Sequence, residues 1–245
     1  MLVRMDFRAA LYSRYVSSFK GESAVLEGPA LASFRAWWWH RLGPVLADLP
    51  RDARILELGC GAGHLLGLLG EHGFTRVEGI DLSAEQVELA VARGIPARVG
   101  DARKLLASHD GDYAAILAFD FIEHFDRGEL LELATAIWRA LAPGGRLLLQ
   151  TPNGEGLMPG QVIYGDLTHL TIFTPGSLEQ LLRFGGFTDF AFSESGPAPL
   201  SLRGRVRVLA WKLVKLLAGM VRRIETGKRQ AIWTETMFCR CRKDA

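Results

Sequence analysis

The chain has 245 residues, the length of one large domain or of one domain with embellishments. It is 49% hydrophobic, so it can bury a substantial core, and its 9% aromatic and 23% charged residues are ordinary for a soluble globular protein. A formal net charge of +2 says little about a partner; where the basic residues fall says more. Cys60 lies in a glycine-rich turn, and Cys239 and Cys241 share a late strand. This spacing excludes a disulfide framework and a zinc site, and it fits a reducing cytoplasm. Arg4, Asp6 and Arg8 interrupt the first apolar residues, so no signal peptide is expected, and no charge-free stretch is long enough to span a bilayer.

In chain order, residues 1–20 read as a short aromatic-rich helix and residues 27–48 as a second helix holding Trp37, Trp38 and Trp39. An alternating rhythm follows. Residues 53–58 form an apolar strand ending in a glycine cluster, and a helix runs from His64 to His72. Residues 75–81 are the next strand, followed by a helix for which Ser83 is the N-cap, with Gln86 three residues on. Residues 96–100 and 112–119 are further strands. Asp126 to Leu141 is an amphipathic helix stopped by Pro143-Gly144-Gly145, and residues 146–151 are a fifth strand. Strands alternating with helices predict a mainly parallel sheet covered on both faces.

After Thr151 the rhythm breaks. Residues 152–174 read as a Gly- and Pro-rich loop long enough to be functional. A helix from Ser177 to Phe184, a strand over 187–195 and a last strand over 234–243 complete the chain.

Three ligand-facing positions stand at the ends of consecutive strands. Glu57-Leu-Gly-Cys-Gly-Ala-Gly-His64 follows the first strand, with Gly59, Gly61 and Gly63 spaced two apart. This is not the dinucleotide pattern G-x-G-x-x-G, but the glycines still let the backbone approach a ligand closely. Asp81 closes the second strand, where a carboxylate can accept from two ribose hydroxyls. Asp101 follows the third strand in Gly100-Asp101-Ala102 and can accept from an adenine amino group.

ILELGCGAGHLL, EGIDLS, GDA and LAPGGRLLLQTPN, in this order, resemble the class I methyltransferases that use S-adenosylmethionine, over roughly residues 27–195. The resemblance implies that Glu57 and the glycines hold the methionine part and that Asp81, with Leu82 beside it, holds the ribose. It assigns the adenine to Asp101 with Ala102, and Phe119 lines the cofactor from the fourth strand. His40-Arg-Leu-Gly43 is similar to a segment of the ubiquinone-pathway enzymes whose arginine touches the cofactor, which would be Arg41.

The acceptor has to bind near the same strand ends, where Asp120-Phe-Ile-Glu-His124 and Gly165-Asp-Leu-Thr-His169 are found. Together they resemble the E-x-x-E-H…H arrangement of ubiquinone-pathway O-methyltransferases and of RNA 3′-end 2′-O-methyltransferases. In those relatives the carboxylates and histidines hold a divalent ion. Carried over, the ligands are Asp120, Glu123, His124 and His169, with Asp in place of the first Glu, and the metal Mg²⁺ or Mn²⁺. Two other readings stay open. His124 or His169 acts as a metal-free general base oriented by Glu123, or Glu123 caps the following helix and His124 packs under the loop.

Tyr12 and its neighbours, the segment around Asp166, and Glu225-Thr-Gly resemble methyltransferases of bacterial surface-glycan clusters, which implies a sugar or sugar–lipid acceptor. Residues 205–224 have helical period. Val206, Leu209, Leu213, Leu216, Leu217, Met220 and Ile224 share one face, and Arg205, Arg207, Lys212, Lys215, Arg222 and Arg223 cover the rest with Trp211. The helix either lies on an anionic membrane or packs on the protein with a solvated basic face. Its charge lies on one helix and not around a groove, so no nucleic acid is expected.

The expected fold is α/β: a Rossmann-like, seven-stranded, mostly parallel sheet with helices on both faces. Residues 1–50 form an N-terminal helical cap and 51–245 the catalytic domain, with the acceptor loop at 152–174 and the amphipathic insertion at 203–226 before the last strand. The expected activity is O-methylation of a saccharide or glycolipid hydroxyl at the cytoplasmic face of the membrane. The alternatives are a quinone or phenol O-methyltransferase and a non-catalytic cofactor-binding protein.

Overall fold

The computed structural model describes Leu11, Tyr12, Arg14, Ser17, Gly21 and residues 25–244. The helix expected over 1–20 therefore falls almost wholly outside the described residues. The first described helix, α1 (Gly28–Leu46), starts with proline in its first turn and buries Trp38, Leu42 and Leu46, one residue per turn along a single face.

The alternating core follows as β1 (Arg54–Leu58), α2 (His64–Glu71), β2 (Arg76–Asp81), α3 (Ala84–Ala92), β3 (Ala97–Val99), α4 (Ala102–Ala107) and β4 (Tyr113–Phe119). A 3₁₀ turn over Ile122–His124 leads to α5 (Arg127–Ala140), β5 (Leu141–Pro152), α6 (Gly160–Tyr164) and α7 (Pro175–Phe184). The chain closes with β6 (Thr188–Glu194), α8 (Leu202–Thr226) and β7 (Thr236–Arg242).

The seven strands lie in the order β3-β2-β1-β4-β5-β7-β6. The first five are parallel, and β7 runs antiparallel to both β5 and β6. The predicted Rossmann-like sheet is present. Its order reverses between β1 and β4, which places the crevice beyond their carboxyl ends.

Side chains alternate across the central strands and divide the core in two. Leu56, Leu58, Ile116 and Leu147 pack with α4, α5 and α7 on one face. Ile55, Leu117 and Leu148 pack with Trp38, Leu42 and the leucines of α2 on the other. Local signals fix the helix starts. Ser83 Oγ accepts from Gln86 N–H, and Asp126 with Glu129 forms a capping box on α5.

Three elements differ from expectation. The short α4, capped by Asp101, follows β3 where no helix was predicted. The 152–174 loop contains α6. Strand β5 reaches back to Leu141, because that residue still pairs with Tyr113 before the register shifts, so Pro143–Gly145 bends the strand edge without ending it.

Candidate functional site

A cavity of about 660 Å³ opens at the carboxyl ends of β1, β2 and β4. Gly59, Gly61, Asp81, Leu82, Asp101 and Ala102 line one half of it. Gly59 has φ +71°, and a Cβ there would lie 2.9 Å from the Phe121 ring, so the turn needs glycine for both conformation and space.

Asp81 braces this turn. One carboxylate oxygen accepts from Gly61 N–H at 2.9 Å and the other from Ser83 N–H at 2.8 Å. Asp101 accepts from the backbone N–H of Arg103 and pairs with its guanidinium at 2.9 Å, while Arg103 also reaches Glu129 at 2.8 Å. Burial raises the Asp101 pKa, but the hydrogen bonds and charge of Arg103 outweigh it and hold the carboxyl below its ordinary value.

Several sequence-predicted residues are placed elsewhere. Glu57 and Gly63 do not line the cavity. Glu57 is buried, with one carboxylate oxygen unpartnered among the described residues. Burial, and secondarily the charge of Asp81, push its pKa well up. Gly63 is the left-handed N-cap of α2 and packs against Ala90 and Ile95. Arg41 lines a second cavity, of about 520 Å³, together with His40, Trp211, Phe238 and Arg240. Its guanidinium lies 3.6 Å above the Trp37 ring and donates to Gly196 O, and burial lowers its pKa to about 10. The helical turn that aims Trp38 and Leu42 at the sheet carries Arg41 away from the glycine turn. Phe119 lines both cavities.

The other half of the first cavity mixes polar with apolar groups, Phe121, Phe125, Pro152 and Val162 among the latter. Asp120, Glu123, His124, Gln161, Asp166 and His169 line it. Glu123, His124 and His169 offer ligand atoms all within 4.8 Å of one another. Asp120 stands outside that cluster, a correction to the four-ligand set. It adopts φ +49° just after β4, and both its oxygens accept from Gln150 Nε2, at 3.0 and 3.2 Å.

Glu123 is fully buried. One oxygen accepts from Thr151 Oγ1 at 3.1 Å, and the other has no partner among the described residues. Burial first, then the charges of Asp120 and Asp166, raise its pKa well above the carboxylate range. The 152–174 loop docks on this turn, because Leu170 and Thr171 N–H both donate to Glu123 O. The docking brings the His169 ring centroid to 4.9 Å from that of His124.

His124 Nδ1 lies 2.9 Å from Thr168 Oγ1, which in turn donates to Asp166 Oδ1 at 2.6 Å. His169 Nδ1 faces Ile163 O at 3.2 Å. Both rings are thus held by the loop through Nδ1. Burial, with His169 nearby, lowers the His124 pKa to about 4, so its ring is neutral at neutral pH.

The alternative in which Glu123 merely caps a helix is not what forms, since Asp126 is the N-cap of α5. Sequence reasoning missed Gln86, Gln150 and Thr168 as parts of the site. Thr168 carried a signal, because Asp-x-Thr in a loop is an Asx-turn pattern, realised here by Thr168 N–H on Asp166 Oδ1 at 2.8 Å. Gln86 and Gln150 carried none.

The family model described as "Methyltransferase domain" matches residues 33–191, and the chain belongs to that family. Its fold and glycine turn are those of the class I, S-adenosylmethionine-dependent members. Among curated relatives, a ubiquinone biosynthesis O-methyltransferase of Xylella fastidiosa is 31% identical over 143 residues, which is 50% of this chain and 57% of that protein. A malonyl-[acyl-carrier protein] O-methyltransferase of Methylococcus capsulatus is 35% identical over 153 residues, 57% of this chain and 53% of that protein. The chain thus spans little more than half the length of these relatives. Among solved structures, a SAM-dependent methyltransferase from Archaeoglobus fulgidus superposes with a TM-score of 0.65 at 21% identity, covering 85% of this chain and 94% of that one.

Proposed function

We propose that this protein is an S-adenosylmethionine-dependent O-methyltransferase acting on a hydroxyl of a saccharide or glycolipid precursor. In this reading Gly59 and Gly61 bring the backbone against the methionine part of the cofactor, Asp81 holds the ribose and Asp101 the adenine. Methyl transfer is an in-line displacement, so the chain must hold the acceptor oxygen in line and help it lose its proton.

The Glu123, His124 and His169 cluster fits a divalent cation. Its carboxylate is buried and half unpartnered, two more acids lie near it, and both imidazoles are fixed through Nδ1. A cation held there would lower the pKa of a bound hydroxyl and orient it. Thr168 fixes the tautomer of His124, and the loop hydrogen bonds to Glu123 O keep His169 in reach.

The observation that carries the acceptor class is the lining of the second half of the cavity. Asp120, Gln161, Asp166, Glu235 and Thr236 present polar groups there, and the rings of Tyr12, Phe121 and Phe125 lie among them as surfaces on which a sugar face can stack. A saccharide offers many hydroxyls to such a wall, whereas a prenylated quinone calls for an apolar tunnel. The second reading, a quinone or phenol O-methyltransferase, is favoured by the relatives named above. A non-catalytic protein would bind cofactor but turn nothing over. Transfer of a labelled methyl group from S-adenosylmethionine to matched panels of glycosides with vicinal hydroxyls and of catechols separates the three. Label in the glycosides is expected. Label confined to catechols moves the enzyme to the second reading, and cofactor binding with no label in any pool moves it to the third.

A further inference from the structure

We propose that α8 docks the protein on an anionic membrane surface, lying in the plane of the interface with its outward face in the lipid. The helix sits on the domain in the reverse orientation of an ordinary amphipathic surface helix.

In α8 no residue is buried. Gly204, Val208, Trp211, Lys215 and Arg222 are half-buried and follow one line along the helix, which marks the side facing the protein. Trp211 Nε1 donates to Glu194 Oε2 at 3.2 Å, and Lys215 Nζ pairs with the same carboxylate at 2.6 Å. The attachment is thus made through an aromatic, an ion pair and small side chains. Trp211 and Lys215, which the sequence grouped with the basic residues around the apolar face, face the domain.

The opposite line carries Leu202, Val206, Leu209, Leu213, Met220 and Ile224, all exposed, with Leu202 at 79% and Ile224 at 87%. An apolar stripe that should cover a core points away from it. Arg205, Lys212 and Arg223 flank the stripe on one side and Arg203 and Arg207 on the other, all exposed. The only acid in the helix is Glu225, in its last turn.

The charge pattern chooses the occupant. A second copy packed stripe to stripe would bring two basic rims together, whereas an anionic lipid surface meets both rims with opposite charge. At 25 residues the helix is about 37 Å long. No described helix is long and apolar enough to cross a membrane, so this contact lies along the surface. The chain leaving α8 is tied to the loop that rims the first cavity, through Gln230 Nε2 on Glu155 O at 2.6 Å and Leu157 N–H on Trp233 O at 3.0 Å. Docking α8 therefore constrains the loop at the mouth of the site.

The test is flotation of the full chain with vesicles of phosphatidylglycerol or of phosphatidylcholine. Binding is expected to phosphatidylglycerol and to weaken steeply with added salt. Each basic residue strengthens such binding about fivefold, so Arg205→Glu, Lys212→Glu and Arg223→Glu together should weaken it about a hundredfold or more. Leu209→Asn with Leu213→Asn should also release the protein. A control with equal charge change elsewhere on the surface, Arg76→Glu, Lys104→Glu and Arg139→Glu, should float like the wild type. Circular dichroism confirms that each variant is folded. Three results overturn the proposal: no flotation of the wild type, equal loss in the control variant, or a soluble dimer that the Leu209→Asn, Leu213→Asn variant disperses. The last would give the stripe to a second copy of the chain.

Discussion

His124 Nδ1 and Thr168 Oγ1 lie 2.9 Å apart across 44 residues of chain, and the Thr168 hydroxyl is already committed as a donor to Asp166 at 2.6 Å. The hydroxyl can therefore only accept from His124, which puts the imidazole proton on Nδ1 and the lone pair on Nε2. Thr168 is buried and acts here as a positioning residue. Thr168→Val removes both bonds at constant shape. Partners of this kind contribute about 10- to 100-fold in metal affinity or activity, so turnover and Mn²⁺ affinity should fall by that factor while S-adenosylmethionine affinity is unchanged. Thr168→Ser should restore both. Failure of the serine to rescue would assign the loss to packing.

Chelation separates the readings of Glu123, His124 and His169. Excess chelator should abolish methyl transfer and leave cofactor binding intact, because the glycine turn and the cluster occupy different halves of the cavity. Mg²⁺ or Mn²⁺ should restore turnover. Glu123→Gln keeps the bond from Thr151 but lacks the charge, and should need more metal to reach the same rate. Full activity in chelator would leave a histidine base as the surviving mechanism.

Asp81 does more in the free protein than the ribose contact proposed for it requires. It accepts from Gly61 and Ser83 N–H, so it shapes the turn that meets the cofactor. Hydrogen bonds to a charged group contribute about 1.5–3 kcal/mol each. Asp81→Ala should therefore weaken S-adenosylmethionine binding by about tenfold or more and lower the melting temperature of the free protein. Asp81→Asn keeps one acceptor and should fall between. Calorimetry and thermal melts on the same samples check this, and unchanged affinity in a folded Asp81→Ala would remove the ribose assignment.

The sheet was legible because its signals are local. The apolar strands end in Gly59–Gly63, Asp81 and Asp101, and their order alone predicts a parallel sheet with a crevice at the strand ends. Ser83 and Asp126 are caps that a four-residue window reveals. What the sequence hid is a matter of rotation. Arg41 and Trp38 are three positions apart on α1, and only the packing of Trp38 against Phe119, with ring centroids 4.6 Å apart, shows that Arg41 faces the second cavity. The periodicity of α8 was equally plain, but periodicity does not say which face turns inward. That choice is made by Glu194, which holds Trp211 and Lys215 against the domain. The metal set was carried over as four residues, and Asp120, with left-handed backbone and its oxygens on Gln150, lies outside the cluster that the other three form.

Asp48 and Arg146 give the fold a defined response to acid. Arg146, on β5, is buried to 5% side-chain exposure, whereas Asp48, just past α1, is 61% exposed. Two parallel hydrogen bonds of 2.7 Å join them, and Arg146 Nη1 also donates to Val45 O. The pair fastens the end of α1 to the central sheet. The hydrogen bond from Arg146 first, and its charge next among the lowering causes, bring the Asp48 pKa down to about 2. A carboxyl whose folded pKa is depressed contributes stability that is complete above its unfolded value, about 3.9, and is lost as pH falls through the folded one. Solvent screening at the exposed carboxylate limits the contribution to about 1 kcal/mol. In a domain of this size that corresponds to about 2–4 °C in melting temperature. Asp48→Asn should therefore melt lower than the wild type by that margin from pH 5 to 7. The gap should narrow below pH 4, be about half-way lost or more near pH 2, and close only below it, where the wild-type carboxyl is as neutral as the variant's amide. Paired thermal melts across this range measure it, and a gap that stays constant into the acid range would show that shape at position 48, not its charge, sets the difference.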